Sequence, residues 1–484
     1  MNLREASERV KTLEGTEMAT VTRPTQALAR KLAGKDASFE DLEILTMAVS
    51  RESDRLILQE ALRTVSESFG DSVSVNGEEY GEHELGTVNY HSLCGPLTVT
   101  RSTYRQAGVR NGPTVVPLEL QAGLMERGTP ALAKAAALGY AKHELRGVLE
   151  DLEAAHRAPP SRATMDRMAR RLAAEAHTEA PTIERTLRRQ EAIPEGAHGV
   201  VIGLDRGSVP MAESRPEGQP PATPRRTRTE PYEREPPPPF DVNWRMAMVA
   251  TVTITDAAGD GLVTRKYAAT AGEGWDGIVK RAMADVQAAV RSKPDLVVGV
   301  VQDGAHELWN VTRAALKTVP EVISYLEAVD RYHVTERLGK VLRIIHADAA
   351  ERQREHARWQ TLLDTEVGAI DEIEKIVLHA HGTLDTEASA DLWEHLVYLR
   401  NNKDRMRYVE LRKRGLPIGS GATESGCNTL LNLRVKRNAE HWSEEGLQGV
   451  LVLRGIHRSE RFDPFWKYFT RRYHSKVTKL SIAA

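Results

Sequence analysis

The sequence predicts a multidomain α/β protein. At 484 residues, with 40% hydrophobic and 28% charged residues, the chain is long enough for several independently packed cores. Short runs rich in valine and isoleucine, such as LVVGVV, have the length of buried strands and are separated by longer amphipathic stretches typical of helices. This alternation changes character along the chain, which indicates more than one domain.

The first 190 residues are predicted to be helical with a small β insert. Residues 1–72 form an N-terminal helical region. Residues 73–125 carry short runs such as SVSVNG and GPLTVTRSTYR, which predict a small β subdomain. Residues 126–190 return to a helical pattern, broken at Pro159-Pro160 and restarted at Ser161, a favourable helix cap.

From residue 195 the predicted order is three strands, then helix, strand, helix and strand. This order is typical of a ribonuclease-H-like (RNase-H-like) mixed sheet, in which strands one and four are neighbours. We expect residues 195–333 to form the first part of this core, with a proline-rich surface loop at 214–240. An all-helical insertion at 334–415, the last part of the core at 416–460 and a basic tail at 461–484 complete the predicted organisation.

Four acidic residues stand out because each follows a strand-like run or opens a helix. Asp205, Asp303 and Asp330 follow the runs VVIGL, LVVGVVQ and LEAV, and Glu424 lies in the helix after the Gly-Ser-Gly turn of LPIGSGATESGCN. Carboxylates fixed by a sheet are suited to holding two hard divalent cations for phosphoryl transfer. His333 lies three positions after Asp330 and would form an auxiliary pair with it; the alternative is a helix N-cap aspartate with a packed histidine.

Basic residues are concentrated locally although the net charge of the chain is only −2. Residues 401–484 carry 17 Lys and Arg against 8 Asp and Glu. The helix at SRATMDRMARRLAAEA has an arginine-rich face, which predicts either a helix-turn-helix that reads a major groove or an amphipathic packing helix. The arginines of this face are Arg162, Arg167, Arg170 and Arg171.

Four ordered motifs give the chain a specific resemblance to a known family. The run PIGSGATESGCNTLLNLRVKRNAEHW resembles the last signature of bacterial insertion-sequence DDE transposases of the ISKra type. LDRGSVPM and VQDGAHELW resemble the motifs of the first and second aspartates, and DRYHVTERL resembles the D-x-x-H motif shared with Mutator-like and ISL-type relatives. The resemblance covers roughly residues 85–460.

The resemblance implies roles for particular residues. Asp205, Asp303 and Glu424 would be the metal-binding triad for two Mg²⁺ or Mn²⁺ ions, with Asp330 and His333 as auxiliary catalytic residues. Arg434, Lys436 and Arg437 would contact DNA phosphates, and Trp442 is expected to pack rather than to stack on a base. Gln106 and Val109 replace a cysteine pair that the family often has, so no zinc is expected.

These observations predict an enzyme that cleaves and joins double-stranded DNA at the terminal inverted repeats of its own element and at a target. A homo-oligomer would hold the two ends. A catalytically silent, domesticated DNA-binding relative and an RNase-H-like nuclease or resolvase are the alternatives. With Cys94 and Cys427 as the only cysteines and no apolar run of membrane-spanning length, we expect a cytoplasmic, nucleoid-associated protein without a disulfide framework.

Overall fold

The computed structural model describes residues 38–216, 239–437, 440–474 and 477–479, together with the single positions 26 and 30. The protein is a mixed α/β chain that separates into two compact units. Unit 1 comprises Met1–Ala136, Leu145–Met168 and Thr470–Ala484, and unit 2 comprises Ala137–Glu144 and Ala169–Phe469. Most of residues 1–37 of the predicted N-terminal helical region, and most of the predicted proline-rich loop, lie outside the described residues.

Unit 1 is built on a five-stranded antiparallel sheet. Its strands are β1 (Ser72–Val75), β2 (Glu78–Ser92), β3 (Gly95–Gln106), β4 (Thr114–Val115) and β10 (Val477–Lys479). The strand order is β10-β1-β2-β3-β4. Buried side chains on one face, including Tyr90, Leu97 and Val99, pack with Leu62 of a long helix, α1 (Phe39–Glu67). The Ser38 side chain and the Asp41 side chain cap the start of α1 reciprocally, which satisfies two backbone donors.

The end of the chain contributes to this sheet, which the sequence analysis did not predict. Residues 461–484 were expected to be a basic tail, but they contain α16 (Phe462–His474) and the strand β10. Val73 pairs with Lys479 and Val75 with Val477 in the antiparallel ladder. This short strand was missed because three residues carry almost no periodic signal. Its partner, β1, lies near the other end of the sequence, so no local pattern connects the two strands.

The residues that follow β4 and precede the second sheet in the sequence are mostly helical. Its elements are α2 (Pro117–Ala122), α3 (Pro130–Lys142), α4 (Leu145–Ala154), α5 (Arg162–Thr178) and α6 (Ala180–Arg188). Residues 155–161 connect α4 to α5, a connection longer than the about 3–4 residues of a helix-turn-helix. The connection between α4 and α5 is therefore longer than the turn of a helix-turn-helix motif.

Unit 2 contains a five-stranded mixed sheet. Its strands are β5 (Gly199–Ser214), β6 (Phe240–Thr255), β7 (Gly261–Ala269), β8 (Val297–Gln302) and β9 (Leu326–Val329). The order is β7-β6-β5-β8-β9, with β5, β6 and β7 antiparallel and β5, β8 and β9 parallel. The prediction that the first and fourth strands of this section are neighbours is confirmed.

The strand β5 is longer than the sequence indicated. It was expected to end at Asp205, but it pairs with β6 as far as Ser214 opposite Phe240. Pro210 is tolerated within this strand because its missing N–H is not needed by the ladder. The carbonyl of Pro210 accepts a hydrogen bond from the Trp442 N–H at 3.1 Å, and the Ala212 N–H donates to the Trp442 carbonyl at 2.8 Å.

Helices cover the mixed sheet and fill the segment after β9. They are α7 (Gly274–Ser292), α8 (His306–Leu316), α9 (Arg331–Ile345), α10 (Ala349–Thr365), α11 (Ala369–His381), α12 (Thr386–Asn402), a 3₁₀ turn (Lys403–Met406), α13 (Tyr408–Lys413), α14 (Gly421–Cys427), a π turn (Asn428–Asn432) and α15 (Glu444–Arg458). Residues 334–415 are thus predominantly helical. Trp359 and Leu396 of this segment belong to the same buried cluster as Val200 and Val300 of the sheet.

Among the residues that the structure describes, no helix combines the length and the apolar composition that a membrane span requires.

Candidate active site

Three of the four predicted acids lie where the parallel pairing of the strands in unit 2 has ended: Asp303 directly follows β8, and Asp205 lies within β5, which continues to Ser214. The β5–β8 ladder ends at Ile202 opposite Val300, so Asp205 and Asp303 follow it at equivalent positions on neighbouring strands. Asp330 directly follows β9. Because β5, β8 and β9 are parallel and their registers align these positions, the three residues lie in one row at the carboxyl ends of β8 and β9, which we call the acidic edge.

The fourth acid, Glu424, is brought to this edge by the packing of α14 on the sheet. Gly203 of β5 leaves room for this helix, since a Cβ at Gly203 would overlap the Thr423 hydroxyl. The buried Thr423 and Thr251 hydroxyls are 2.8 Å apart and hydrogen bonded. Glycine and two small hydroxyl side chains therefore fix the helix that carries Glu424 against the strands.

Asp330 holds the start of α14 and the start of α9 together. Its carboxylate is fully buried; Oδ1 accepts the N–H groups of Tyr332 and His333 at 2.7 and 2.9 Å, so it is the N-cap of α9. Oδ2 accepts from the backbone N–H and the hydroxyl of Ser420. The capping role named as an alternative in the sequence analysis is confirmed, while His333 is exposed rather than packed.

Ser420 connects this buried carboxylate to Glu424. The Ser420 Oγ lies 2.6 Å from Asp330 Oδ2 and 3.1 Å from Glu424 Oε1. One hydroxyl proton serves only one acceptor well, so Glu424 keeps acceptor capacity for another partner. Glu424 is exposed on the surface of unit 2, where a ligand can reach it.

Asp330, His333 and Glu424 form the group in the described part of the chain whose ligand atoms all lie within 4.8 Å of one another. Asp205 and Asp303 do not join it at that separation. The structure thus groups Glu424 with the two residues assigned as an auxiliary pair.

Asp205 is tied to α14 by a cysteine that the sequence analysis did not assign. Its Oδ2 accepts a hydrogen bond from the Cys427 thiol at 3.1 Å, and its Oδ1 accepts from the Arg206 N–H at 2.7 Å. Burial, followed by the negative charge of Asp205, raises the pKa of Cys427 well above its usual value. Cys427 lies one helical turn after Glu424 on the same face, and this spacing is the signal that could have identified it.

Asp303 lies beside the helical segment that follows β9. Its Oδ1 accepts the N–H of Gly304, and a Cβ at Gly304 would overlap the ring edge and hydroxyl of Tyr398 on α12. Burial, then the charge of Asp303, raises the pKa of Tyr398 to about 12. No local pattern in the sequence indicates this tyrosine, because it lies far from Asp303 along the chain.

The donor atoms at this edge fit a hard divalent cation. Carboxylate oxygens and the Ser420 hydroxyl predominate, and Mg²⁺ and Mn²⁺ prefer such ligands. Two carboxylates held within 4.8 Å of each other repel unless a cation or a proton lies between them. Asp205, Asp303 and Glu424 each retain unshared oxygen lone pairs that a metal ion could use.

Of the residues predicted to contact DNA, one is buried, one is half-buried and the others are exposed. Arg434 is only 4% exposed; its guanidinium bonds the Glu440 carboxylate at 2.6 Å and the Tyr140 carbonyl at 3.3 Å, and lies 4.9 Å from the centre of the Trp442 ring. The prediction that Arg434 meets DNA is therefore wrong, because its charge is already neutralised inside the protein. Arg437 is exposed and Lys436 is half-buried.

Trp442 packs as expected. Its ring is 7% exposed and its indole N–H donates to the Val435 carbonyl at 3.0 Å. The four arginines of α5 are exposed, whereas Met165 and Met168 on the same helix are fully buried. This helix thus presents its arginine face outward, with Arg171 lying 3.4 Å from Glu175.

Basic side chains surround the end of α15 in unit 2. Arg454 is buried and donates to the carbonyls of Thr429 and Ala141, and no described carboxylate pairs with it. Burial and then neighbouring arginines lower its pKa to about 9. Burial, followed by Lys142 and Arg458, lowers the pKa of His457 to about 4.

Further basic side chains, exposed or half-buried, lie beside this group at the surface. We call this set the basic surface: Lys142, His143, Arg437 and Arg458. Arg454 fixes its geometry, since its hydrogen bonds join the end of α3 to the turn after α14, and Arg458 lies one helical turn further along α15. Such a surface attracts polyanions.

The chain was compared with protein-family models and with curated proteins, and neither comparison gives a match.

Proposed function

We propose that this protein is a DDE transposase with an RNase-H-like catalytic core, which cleaves DNA ends and transfers them to a target. One observation carries the proposal: Asp303 and Asp330 directly follow the parallel strands β8 and β9, Asp205 lies in line with them on β5, and α14 carries Glu424 to the same edge. The order and directions of the five strands support the fold assignment.

Asp205, Asp303 and Glu424 would hold two Mg²⁺ or Mn²⁺ ions. When bound, such ions activate an attacking oxygen and stabilise a leaving oxygen in phosphodiester chemistry. In this protein Cys427 orients Asp205, and Ser420 orients Glu424 through its contact with buried Asp330. Asp330 acts as a positioning residue, because its oxygens already accept four hydrogen bonds from the protein.

Double-stranded DNA is the proposed partner, with the terminal inverted repeats and the target as its two forms. The basic surface would bind the phosphate backbone next to the site, with Arg437 retained and Arg434 removed from the predicted contacts. Phosphate contacts supply affinity without sequence specificity. The exposed arginine face of α5 remains a candidate for reading the ends, and a homo-oligomer would bring two ends together.

A metal-dependent cleavage assay tests the catalytic proposal. The substrate is a duplex containing the DNA end next to the gene, incubated with Mg²⁺ or Mn²⁺. We expect Asp205→Asn, Asp303→Asn and Glu424→Gln each to abolish cleavage while DNA binding persists, because each removes a charged metal ligand.

Asp404→Asn is the matched control for that assay, since the Asp404 side chain is 93% exposed and lies in the 3₁₀ turn. This variant should cleave like the wild type. Retention of full cleavage by all three site variants would contradict the catalytic assignment.

A catalytically silent DNA-binding relative is the second candidate. It is favoured by one observation: Asp205 and Asp303 do not join the close group formed by Asp330, His333 and Glu424. The same assay separates the two functions, because wild-type protein that binds the duplex without metal and never cuts it would support the silent relative.

A further inference from the structure

Tyr398 is the residue through which the helical segment after β9 reaches the acidic edge. It lies on α12, and its half-buried ring packs against the backbone of Gly304, directly after Asp303. Only glycine permits this approach, since any Cβ at position 304 would overlap the Tyr398 ring and hydroxyl. The hydroxyl end of the side chain therefore lies at the carboxyl end of β8.

The orientation of the Tyr398 ring is fixed from its other side. The Arg337 guanidinium of α9 lies 3.9 Å from the centre of the ring, a cation–π distance. Arg337 is itself held by the His395 ring nitrogen at 3.2 Å. A ring confined between a guanidinium and a glycine backbone keeps its hydroxyl in one place.

The hydroxyl has no internal role in the described part of the chain. None of the described residues exchanges a hydrogen bond with it, although Asp303 and Asp330 are both near enough to influence it electrostatically. A phenol is a hydrogen-bond donor at neutral pH. The acids around it cannot bind a phosphate anion by themselves, so an uncharged donor at this edge complements them.

We propose that the Tyr398 hydroxyl donates a hydrogen bond to a non-bridging oxygen of the scissile phosphodiester. This rests on the proposed function and deepens it, because it assigns the helical segment a direct part in the active site. Tyr398 then contacts the substrate and is a catalytic residue, whereas Arg337 and Gly304 position it.

The test compares Tyr398→Phe with the wild type under single-turnover conditions on the duplex containing the DNA end. Phenylalanine keeps the ring contacts with Gly304 and Arg337 and removes only the hydroxyl. We expect unchanged DNA affinity and melting temperature, with a cleavage rate lower by about 10- to 100-fold, the effect of losing one hydrogen bond to a charged group. Tyr325→Phe is the matched control, since half-buried Tyr325 precedes β9 at the other end of that strand.

A second measurement separates substrate contact from a structural role. Replacing one non-bridging oxygen of the scissile phosphate by sulfur weakens its hydrogen bonding, so one phosphorothioate diastereomer should slow the wild type more than it slows Tyr398→Phe. Equal sulfur effects, or wild-type cleavage by Tyr398→Phe, would overturn this inference and leave the proposed function standing. Failure of the wild type to cleave any duplex would overturn both.

Discussion

Two arginines of the same short basic run have opposite environments. Arg434 is buried against Glu440 and the Trp442 ring, whereas Arg437 is exposed. Burial of a guanidinium is tolerated only where its charge and its N–H groups find partners. At the scale of single residues, then, one basic motif contains both a buried arginine that stabilises the fold and an exposed one, and only the partners of each side chain distinguish them.

Substitution of Arg434 should affect stability rather than DNA binding. We expect Arg434→Ala to lower the free energy of unfolding by about 3 kcal/mol, because it removes the ion pair with the partly buried Glu440 carboxylate and the hydrogen bond to the Tyr140 carbonyl. Urea denaturation measures this. Arg437→Ala is the control and should change the free energy of unfolding little; an equal loss in both variants would contradict the buried role of Arg434.

The position of α14 depends on contacts with three other elements. Thr423 joins it to β6, Cys427 joins it to Asp205 of β5, and Ser420 joins its start to Asp330 after β9. Each contact is a hydrogen bond made by a small side chain, with lengths of 2.8, 3.1 and 2.6 Å, respectively. At the scale of elements, a helix of seven residues is held by its tertiary contacts, since so short a helix has little stability of its own.

Asp330 should stabilise the fold more than an ordinary N-cap does. Asp330→Ala removes the cap of α9 and also leaves the buried Ser420 N–H without an acceptor, so we expect a loss of about 2–4 kcal/mol. Asp348→Ala is the matched control: Asp348 is exposed and caps α10 through the Glu351 N–H alone, at 2.8 Å, and should lose only about 1 kcal/mol. Denaturation midpoints of the two variants provide the comparison, and equal losses would show that the Ser420 contact contributes nothing.

The charge of the whole molecule conceals a strongly polarised distribution. The net charge is −2, yet unit 2 carries the basic surface and, at the end of its sheet, a group of carboxylates. Arg454 is a buried arginine without a described carboxylate partner, and it adds to the positive potential of the basic surface. Local charge rather than net charge therefore governs the attraction of a polyanion.

Salt dependence of DNA binding should reveal the basic surface. We expect Lys142→Gln and Arg458→Gln each to reduce the slope of log affinity against log salt concentration by about 1, because each removes one phosphate contact and its released counterion. Fluorescence anisotropy with a labelled duplex measures the slope. Lys317→Gln, an exposed lysine at the end of α8, is the control, and slopes that do not differ from the wild type would exclude this surface.

Much of unit 2 could be predicted from the sequence because its signals are local. Buried parallel strands are continuous apolar runs, so β8, the inner half of β5 and the acids after these apolar runs could be located from the residues alone, as could the helical character of residues 334–415. The length of β5 could not be predicted. Its outer half pairs with β6 and with the Trp442 backbone, and the residues after Pro210 show no periodic apolar pattern that would indicate these contacts.

By itself the sequence determined which residues have the chemistry for a site: the acids, the helix with Glu424 and the basic runs. Only the tertiary structure decided how these residues divide their roles. In the tertiary structure Asp330 and Arg434 are buried and stabilise the fold. The Cys427 thiol donates a hydrogen bond to Asp205, and Tyr398 packs beside Asp303. The physical reason is that burial and hydrogen-bond partners come from distant parts of the chain, and the type of a residue does not specify which partner it meets.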